Sequence, residues 1–370
     1  MSAEVDHRKA FQRRYAINES RFGIVREVRK ELPVIDVGAL VEDTSPGAKA
    51  VVAQEIRDAL INSGFFYMAN YGISEDEMLE AREWALRFFH LLREAKEQAR
   101  CVDIMGPRGW HPVGDEKITP GYEGDYKEYY DFGLNLQDED VPLTERGLTL
   151  WPADDVLPGF RPYMEAYIER MKTIGQKLMR GFALSLGLEE TYFDASHRRP
   201  FFNMRPSWYP PAKGKLHEKL WSCGPHTDYM TLTMLYQDHV GGLEVMTLDG
   251  EWIPAPPIAG TQVVNIGDMM ASWTNDLYTS NPHRVRNLTD DERISMATFM
   301  GPDFMTKVEC LDVCQSEDNP PRYKPITCGE HVLNVMAGAM PEDVGRNARA
   351  AMSNADVTDQ FRSADRIGAE

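Results

Sequence analysis

The feature that most constrains the fold is a series of short, β-rich segments in the second half of the chain. Gly, Pro, Asn and Asp separate runs of β-branched and aromatic residues after residue 200. Many short strands at near-regular spacing are typical of an antiparallel sandwich or barrel rather than a parallel sheet. We therefore predict a mainly β core, with strands within residues 201–209, 231–236, 243–247, 261–266 and 294–299.

The first half of the chain carries helical patterns. Apolar side chains recur at three- and four-residue steps within residues 52–60, 78–92 and 164–182. Ser74 and Glu77 have the spacing of a capping box for the second helix, while Gly64 and Gly187 are placed to end the first and the third. The apolar segments 32–37 and 65–69 predict two more strands, the first at a sheet edge. We expect these helices to brace the β core.

These patterns divide the chain into four regions that we expect to form one structural unit. They are a polar N-terminal arm (1–30), a helix-rich region (31–200), a β-rich core (201–340) and a C-terminal helix or tail (341–370).

Charge and cysteine content limit the function classes. The net charge of −18 argues against binding to nucleic acid or to an anionic membrane surface, since both need a basic face. The five cysteines are scattered without CxxC spacing, which predicts buried thiols and a reducing compartment. No segment is apolar enough for a signal or a membrane span. We expect a cytoplasmic monomer or weak homo-oligomer.

Two short segments carry a metal-ligand pattern. His226 and Asp228 are two residues apart, so on a strand both side chains would project to one face. A second imidazole, His283, would reach the same ion from another strand. Two histidines and one carboxylate typically hold non-haem Fe(II) and leave positions open for O2 chemistry. HxD alone is weak evidence for a metal site, because a solvated His–Asp pair at the end of a strand has the same sequence.

Residues that follow His283 strengthen this interpretation. Arg293 and Ser295 again have i, i+2 spacing, and a guanidinium beside a hydroxyl is a good receptor for a carboxylate. Tyr209 could add a phenolic donor. Beside an iron face, these side chains predict an anchor for the far carboxylate of a dicarboxylate cosubstrate.

The chain resembles the Fe(II)/2-oxoglutarate-dependent dioxygenases of the isopenicillin N synthase-like superfamily, almost from end to end. The matching segments are LPVID (32–36), GFF (64–66), NYGI (70–73), DYKE (125–128), LWP (150–152), HTD (226–228), GGLEV (241–245), VNIGD (264–268), HRV (283–285) and RIS (293–295). Two positions depart from the family pattern: Tyr71, where His is frequent, and Ser207, where many members have Asn. Neither is a metal ligand in that family.

The resemblance implies a distorted double-stranded β-helix, or jelly roll, braced by α-helices. It also implies Fe(II) on His226, Asp228 and His283, with 2-oxoglutarate anchored by Arg293, Ser295 and Tyr209. Oxidation of 2-oxoglutarate by O2 to succinate and CO2 would drive hydroxylation, desaturation or cyclisation of a small organic substrate. One alternative is an oxidase of the isopenicillin N synthase type, which needs no 2-oxoglutarate, and another is a catalytically silent binding module.

The substrate is less constrained by the sequence. We expect the open side of the iron to be lined by mostly aromatic, neutral residues: Trp110, Tyr126, Phe201, Asn203, Trp273 and Phe299. Residues 213–219 could form a mobile lid or a solvated turn.

Overall fold

The computed structural model describes residues 11, 12, 15, 22–102, 107–118, 123–134 and 148–339. Most of the predicted arm 1–30 and the whole of the predicted tail 341–370 therefore lie outside the described residues. Within the described ranges, no helix is both long enough and apolar enough to cross a membrane.

The described residues contain the three predicted helices and four shorter α-helices outside the predicted segments. The α-helices are α1 (Gly38–Val41), α2 (Pro46–Asn62), α3 (Glu75–Phe89), α4 (Arg93–Lys96), α5 (Phe160–Ser185), α6 (Asp268–Trp273) and α7 (Cys328–Ala339), with 3-10 turns at Glu97–Ala99, Ala195–His197 and Asp312–Cys314. The capping box at the start of α3 is confirmed: Ser74 accepts from the Glu77 backbone, and the Glu77 side chain accepts from the Ser74 backbone. Gly64 ends the α2 region with a left-handed φ of 64°.

Most strands are short, as the turn residues between them predict, whereas β6 and β13 have 10 and 11 residues. They are β1 (Val34–Asp36), β2 (Phe65–Ala69), β3 (Trp110–His111), β4 (Glu128–Tyr130), β5 (Phe132–Gly133), β6 (Pro200–Tyr209), β7 (Cys223–His226), β8 (Leu232–Gln237), β9 (Leu243–Met246), β10 (Trp252–Pro254), β11 (Gln262–Ile266), β12 (His283–Val285), β13 (Arg293–Asp303), β14 (Lys307–Val308) and β15 (Ile326–Thr327). All five strands predicted after residue 200 are present, and so are the two predicted before it.

Two sheets form the β core. The larger has nine strands in the order β1-β2-β11-β8-β13-β6-β4-β3, with β5 also paired to β6, and the smaller has the order β10-β9-β12-β7. Pairing is antiparallel except between β1 and β2, and β1 lies at the sheet edge as predicted. The mainly β fold with supporting helices, a jelly-roll core whose sheets are not closed, is the predicted fold class.

Apolar side chains fill two layers of this architecture. Helix α5 packs on α2 and also on the outer face of the larger sheet, where Gly175 lies against Met234 and Met300. A second cluster lies between the two sheets and includes Tyr67, Tyr209, Val245, Val263 and Val285. The polar residues predicted to form a site line the space beside this inner cluster.

Candidate active site

The smaller sheet brings the two predicted histidine ligands together. His226 at the end of β7 stands directly opposite His283 at the start of β12, with ring centroids 4.3 Å apart. The expectation that HxD lies on one strand needs a correction, because β7 ends at His226 and Asp228 follows in the next turn. The turn, rather than strand alternation, therefore aims the carboxylate at the imidazoles.

The three side chains converge on one point. Asp228 Oδ1 lies 3.8 Å from His226 Nε2 and 3.7 Å from His283 Nε2. One ligand atom from each residue lies within 4.8 Å of the others. Such a face can accept one divalent ion while leaving further positions open.

Each imidazole is oriented by its own backbone. His226 Nδ1 donates to Gly224 O at 2.8 Å, and His283 Nδ1 donates to Asn281 O at 3.3 Å. A carbonyl can only accept, so the proton lies on Nδ1 and the Nε2 lone pair is left for a metal. Burial lowers the pKa of His283 to about 4, which keeps this ring neutral at neutral pH.

The carboxylate is held by two side chains that sequence reasoning did not assign to the site. Asp228 Oδ2 accepts from Thr233 Oγ1 at 2.5 Å and from Asn265 Nδ2 at 2.7 Å, so Oδ1 faces the imidazoles. Thr233 and Asn265 are cross-strand partners on β8 and β11. Burial opposes ionisation of Asp228, but the two histidines and these hydrogen bonds outweigh it and lower its pKa.

The turn that carries Asp228 also depends on a close backbone approach. A Cβ at Gly267 would lie 2.2 Å from Met230 O and 2.6 Å from Asp228 O. The Asp268 amide then donates to Asp228 O at 2.8 Å. Glycine is therefore required where the NIGD segment packs on this turn.

Replacing Asn265 by Ala should weaken Fe(II) affinity by about 10- to 100-fold, the usual cost of losing an outer hydrogen bond to a metal ligand. The substitution removes the donor that fixes Asp228 Oδ2 but leaves the three ligands in place. Titration of the apoprotein with Fe(II) under anaerobic conditions measures the effect. Asn62→Ala on the surface of α2 is a matched control, and equal affinity in the Asn265 variant and the wild type would contradict the account.

The larger sheet supplies a buried cation on the opposite wall. Arg293 on β13 is 0% exposed and pairs in register with Tyr209 on β6, whose ring lies 4.6 Å from the guanidinium carbon. Its Nε donates to Gly241 O. Ser295, two residues on, lies 3.5 Å from the Tyr209 hydroxyl. The three predicted cosubstrate residues therefore do lie together, and all of them line the cavity that contains the ligand triad.

Whether a dicarboxylate fits the cavity depends on the hydrogen bonding of the Arg293 guanidinium. Both Nη1 and Nη2 are buried without a hydrogen-bond partner among the described residues. A buried charge without a partner is costly, and a guanidinium fork matches a carboxylate bidentately. The residues present thus fit a ligand with one anionic end on Arg293 and the other at the metal face.

The six residues predicted to face the substrate do not all lie together in the cavity. Phe299 lines the cavity, and Phe201 and Asn203 stand on the same strand face as the cavity residue Arg205. Trp110 and Trp273 belong to the hydrophobic core instead: Trp110 Nε1 donates to Glu128, and Trp273 packs on Phe193 with ring centroids 5.2 Å apart. The sixth residue, Tyr126, lies against Lys215, whose Nζ is 5.7 Å from its ring centroid.

Fold and site together define a class of protein. A jelly roll with a facial set of two imidazoles and one carboxylate is typical of non-haem Fe(II) oxygenases. Family comparisons agree: residues 198–302 match the 2OG-Fe(II) oxygenase superfamily, and residues 32–154 match the non-haem dioxygenase N-terminal region named for morphine synthesis.

Individual relatives are similar over most of the chain. A Glycine max homoarginine-6-hydroxylase is 35% identical over 81% of this chain and 95% of its own, and the 2-oxoglutarate-Fe(II) type oxidoreductase ppzC of Metarhizium majus is 32% identical over 82% and 86%. The crystal structure of full-length Neurospora crassa T7H in complex with alpha-KG and thymine has a TM-score of 0.73, with 29% identity over 83% of this chain and 97% of that one. The chain belongs to the 2OG-Fe(II) oxygenase superfamily. It is a 2-oxoglutarate-dependent dioxygenase that uses Fe(II) and O2, and its relatives favour this activity over the 2-oxoglutarate-independent oxidase.

Proposed function

We propose that His226, Asp228 and His283 hold the iron and that Arg293, Ser295 and Tyr209 anchor the distal carboxylate of 2-oxoglutarate. The observation that carries this assignment is the cavity itself. Three ligand atoms converge on one wall of this cavity, and the buried Arg293 lies on the other. The Nη groups of Arg293 have no partner in the described part of the chain.

Bound iron, 2-oxoglutarate and O2 supply the oxidising chemistry, in which 2-oxoglutarate becomes succinate and CO2 while the substrate is hydroxylated, desaturated or cyclised. The chain contributes position and environment. Thr233 and Asn265 fix the carboxylate, and the backbone carbonyls fix both imidazoles. Phe65, Leu243 and Val285 add apolar walls that exclude water from the cosubstrate.

The assignment predicts a spectroscopic signature. Apoprotein loaded with Fe(II) and 2-oxoglutarate under anaerobic conditions should show a weak metal-to-ligand charge-transfer band, because keto and carboxylate oxygens would chelate the iron. Exchange of 2-oxoglutarate for succinate, which lacks the keto group, is the control and should give no band. A wild-type protein that lacks the band would contradict the cosubstrate assignment.

Product stoichiometry tests the reaction itself. In the presence of a turned-over substrate, we expect one succinate for each O2 consumed. An oxidase of the isopenicillin N synthase type would consume O2 without forming succinate, so oxygen uptake without succinate would overturn the proposal.

We propose further that the enzyme is a cytoplasmic monomer or weak homo-oligomer acting on a specialised metabolite. The five cysteines of the sequence have no CxxC spacing, which suits a reducing compartment. A net charge of −18 disfavours self-association. The names of the relatives refer to different molecules, since one is a homoarginine-6-hydroxylase and another an azadirone synthase. Similarity to these relatives therefore does not identify the substrate.

We propose that the regions 31–200 and 201–340 function as one structural unit. Strands from both regions contribute to the nine-stranded sheet, which supports this view. A mobile lid at residues 213–219 stays a prediction. In this segment Lys213 forms an ion pair with Asp290 at 2.7 Å, and Lys215 donates to Pro211 O at 2.9 Å.

A further inference from the structure

The cavity wall continues past the cosubstrate residues along the same two strands. Going away from the Arg293–Tyr209 pair, the cross-strand partners on β13 and β6 are Ala297 with Arg205, then Phe299 with Asn203. Arg205, Ala297 and Phe299 line the cavity. Strand alternation places Asn203 on the same face, one step beyond Arg205. This end of the wall carries polar side chains that the proposed iron and cosubstrate roles do not use.

One carboxylate holds both polar side chains of this end. Asp131 Oδ1 accepts from Arg205 Nε at 2.7 Å and from Asn203 Nδ2 at 2.8 Å, and Asp131 Oδ2 accepts from Arg205 Nη2 at 2.7 Å. Burial opposes ionisation of Asp131, but Arg205 holds its pKa below the usual value. An ionised carboxylate only accepts, so the Asn203 amide must present its NH2 to Asp131.

In that orientation the other end of the amide, Asn203 Oδ1, does not face Asp131. Asn203 is 5% exposed, and its Oδ1 is buried with no hydrogen-bond partner in the ranges that the structure describes. A buried carbonyl oxygen of this kind is costly unless a ligand donates to it.

The neighbouring guanidinium offers donors. Arg205 Nη1 donates to Glu116 at 2.7 Å. With its two hydrogen bonds to Asp131, the guanidinium therefore uses three of its five N–H groups in these contacts. The guanidinium is stacked on Tyr129, 4.2 Å from the ring centroid, and its carbon lies 5.9 Å from the centroid of Phe299. A planar group against Phe299 could therefore meet a donor from Arg205 and the acceptor of Asn203.

The charge of the surroundings favours a neutral ligand group. Two cations and three carboxylates form one ion-pair network here, in which every charge already has a partner of opposite sign. Its members are Lys127, Arg205, Glu116, Asp125 and Asp131. Arg293 differs because its two Nη groups lack a partner within the described residues. A free carboxylate or guanidinium at the Asn203 end would therefore add a buried charge to a network whose members are already paired.

We propose that Asn203 and Arg205, positioned by Asp131, form a specificity pair for a neutral amide-type group in the primary substrate, such as the adjacent N–H and C=O of a cyclic amide or imide. The ring would lie against Phe299. This inference rests on the proposed function, since it takes the same cavity as the site of oxidation.

The test uses the full chain reconstituted with Fe(II) and 2-oxoglutarate, and two matched probes. Pyrimidine-2,4-dione carries the N–H and C=O groups, whereas its 1,3-dimethyl analogue keeps the ring and the carbonyls but loses both N–H groups. Anaerobic titration of the charge-transfer band gives each dissociation constant. We expect the wild type to bind the N–H probe at least about tenfold more tightly, the cost of leaving one buried acceptor unpaired.

Asn203→Ala should bring that ratio close to one, and Asp131→Asn, which loosens both members of the pair, should lower it as well. Met204→Leu, on the opposite face of β6, is the control and should keep the wild-type ratio. A band in every variant shows that the iron site is intact, so its absence in the wild type would defeat the proposed function rather than this inference. Equal binding of the two probes by the wild type, an undiminished ratio in Asn203→Ala, or tighter binding of the guanidinium compound agmatine would overturn the specificity pair.

Discussion

Replacing Asp228 by Ala should abolish stoichiometric Fe(II) binding and lower the rate of succinate formation by more than about a thousandfold, since several kcal/mol of metal binding are lost. The reason lies in the geometry: Asp228 Oδ1 faces both imidazole Nε2 atoms, at 3.8 and 3.7 Å. Two neutral imidazoles alone provide no negative charge to offset the ion. Iron content after anaerobic loading and succinate assays measure the two effects.

A matched control separates this effect from general damage. Asp290→Ala removes an exposed carboxylate that pairs only with Lys213 in the described structure, and it should retain wild-type iron content and rate. Retention of one tightly bound iron and of succinate formation by Asp228→Ala would show that the metal is held elsewhere.

Replacing Arg293 by Met should weaken the binding of 2-oxoglutarate and at the same time stabilise the apoprotein. The KM for 2-oxoglutarate should rise by about a hundredfold or more, because a fully desolvated charge-assisted contact is lost. The free energy of unfolding of the apoprotein should increase by about 1–3 kcal/mol, because a buried cation lacking Nη partners is exchanged for an apolar side chain of similar length. Denaturant titration with and without 2-oxoglutarate, together with steady-state kinetics, measures both.

Arg26 provides the contrast. It is also buried, but its guanidinium donates to three backbone carbonyls, of Ile61, Asp276 and Leu277. Arg26→Met should therefore destabilise the protein and leave the KM for 2-oxoglutarate unchanged. If Arg293→Met binds 2-oxoglutarate as tightly as the wild type, the cosubstrate anchor has been placed on the wrong residue.

Local pattern was sufficient for helices α2, α3 and α5 and for seven of the strands. The helices and the longer strands have strong periodicity, and the Ser74–Glu77 capping box is a purely local signal. The strands of the smaller sheet were harder, because β7, β10 and β12 have only three or four residues each. Strands at His226 and His283 were expected from the ligand pattern without bounds, and β10 was not predicted. Too few residues alternate there to show a period.

The sequence indicates only those residues of the candidate site that lie within short motifs. His226, His283, Arg293 and Ser295 could be grouped because three short motifs carry them, HTD (226–228), HRV (283–285) and RIS (293–295). Thr233 and Asn265 could not, because their contact with Asp228 depends on the register between β8 and β11, which the sequence does not display.

Non-local pairing also explains the remaining differences. Asp131 precedes Asn203 by 72 residues, so the pairing of both Asn203 and Arg205 with one carboxylate is visible only in the folded chain. Trp110 and Trp273 were expected near the substrate on their aromatic character alone. Their core positions show that large aromatic side chains in a jelly roll are as suited to packing as to binding.

The most direct test of the proposed site is a crystal structure of the anaerobic complex with Fe(II) and 2-oxoglutarate. We expect iron bound by His226 Nε2, Asp228 Oδ1 and His283 Nε2 at about 2.0–2.2 Å, the range for His and Asp ligands of a divalent ion. We also expect the distal carboxylate of 2-oxoglutarate in a bidentate contact with Arg293 Nη1 and Nη2, beside the Ser295 hydroxyl. Iron at any other residues, or a distal carboxylate away from Arg293, would contradict the proposed site.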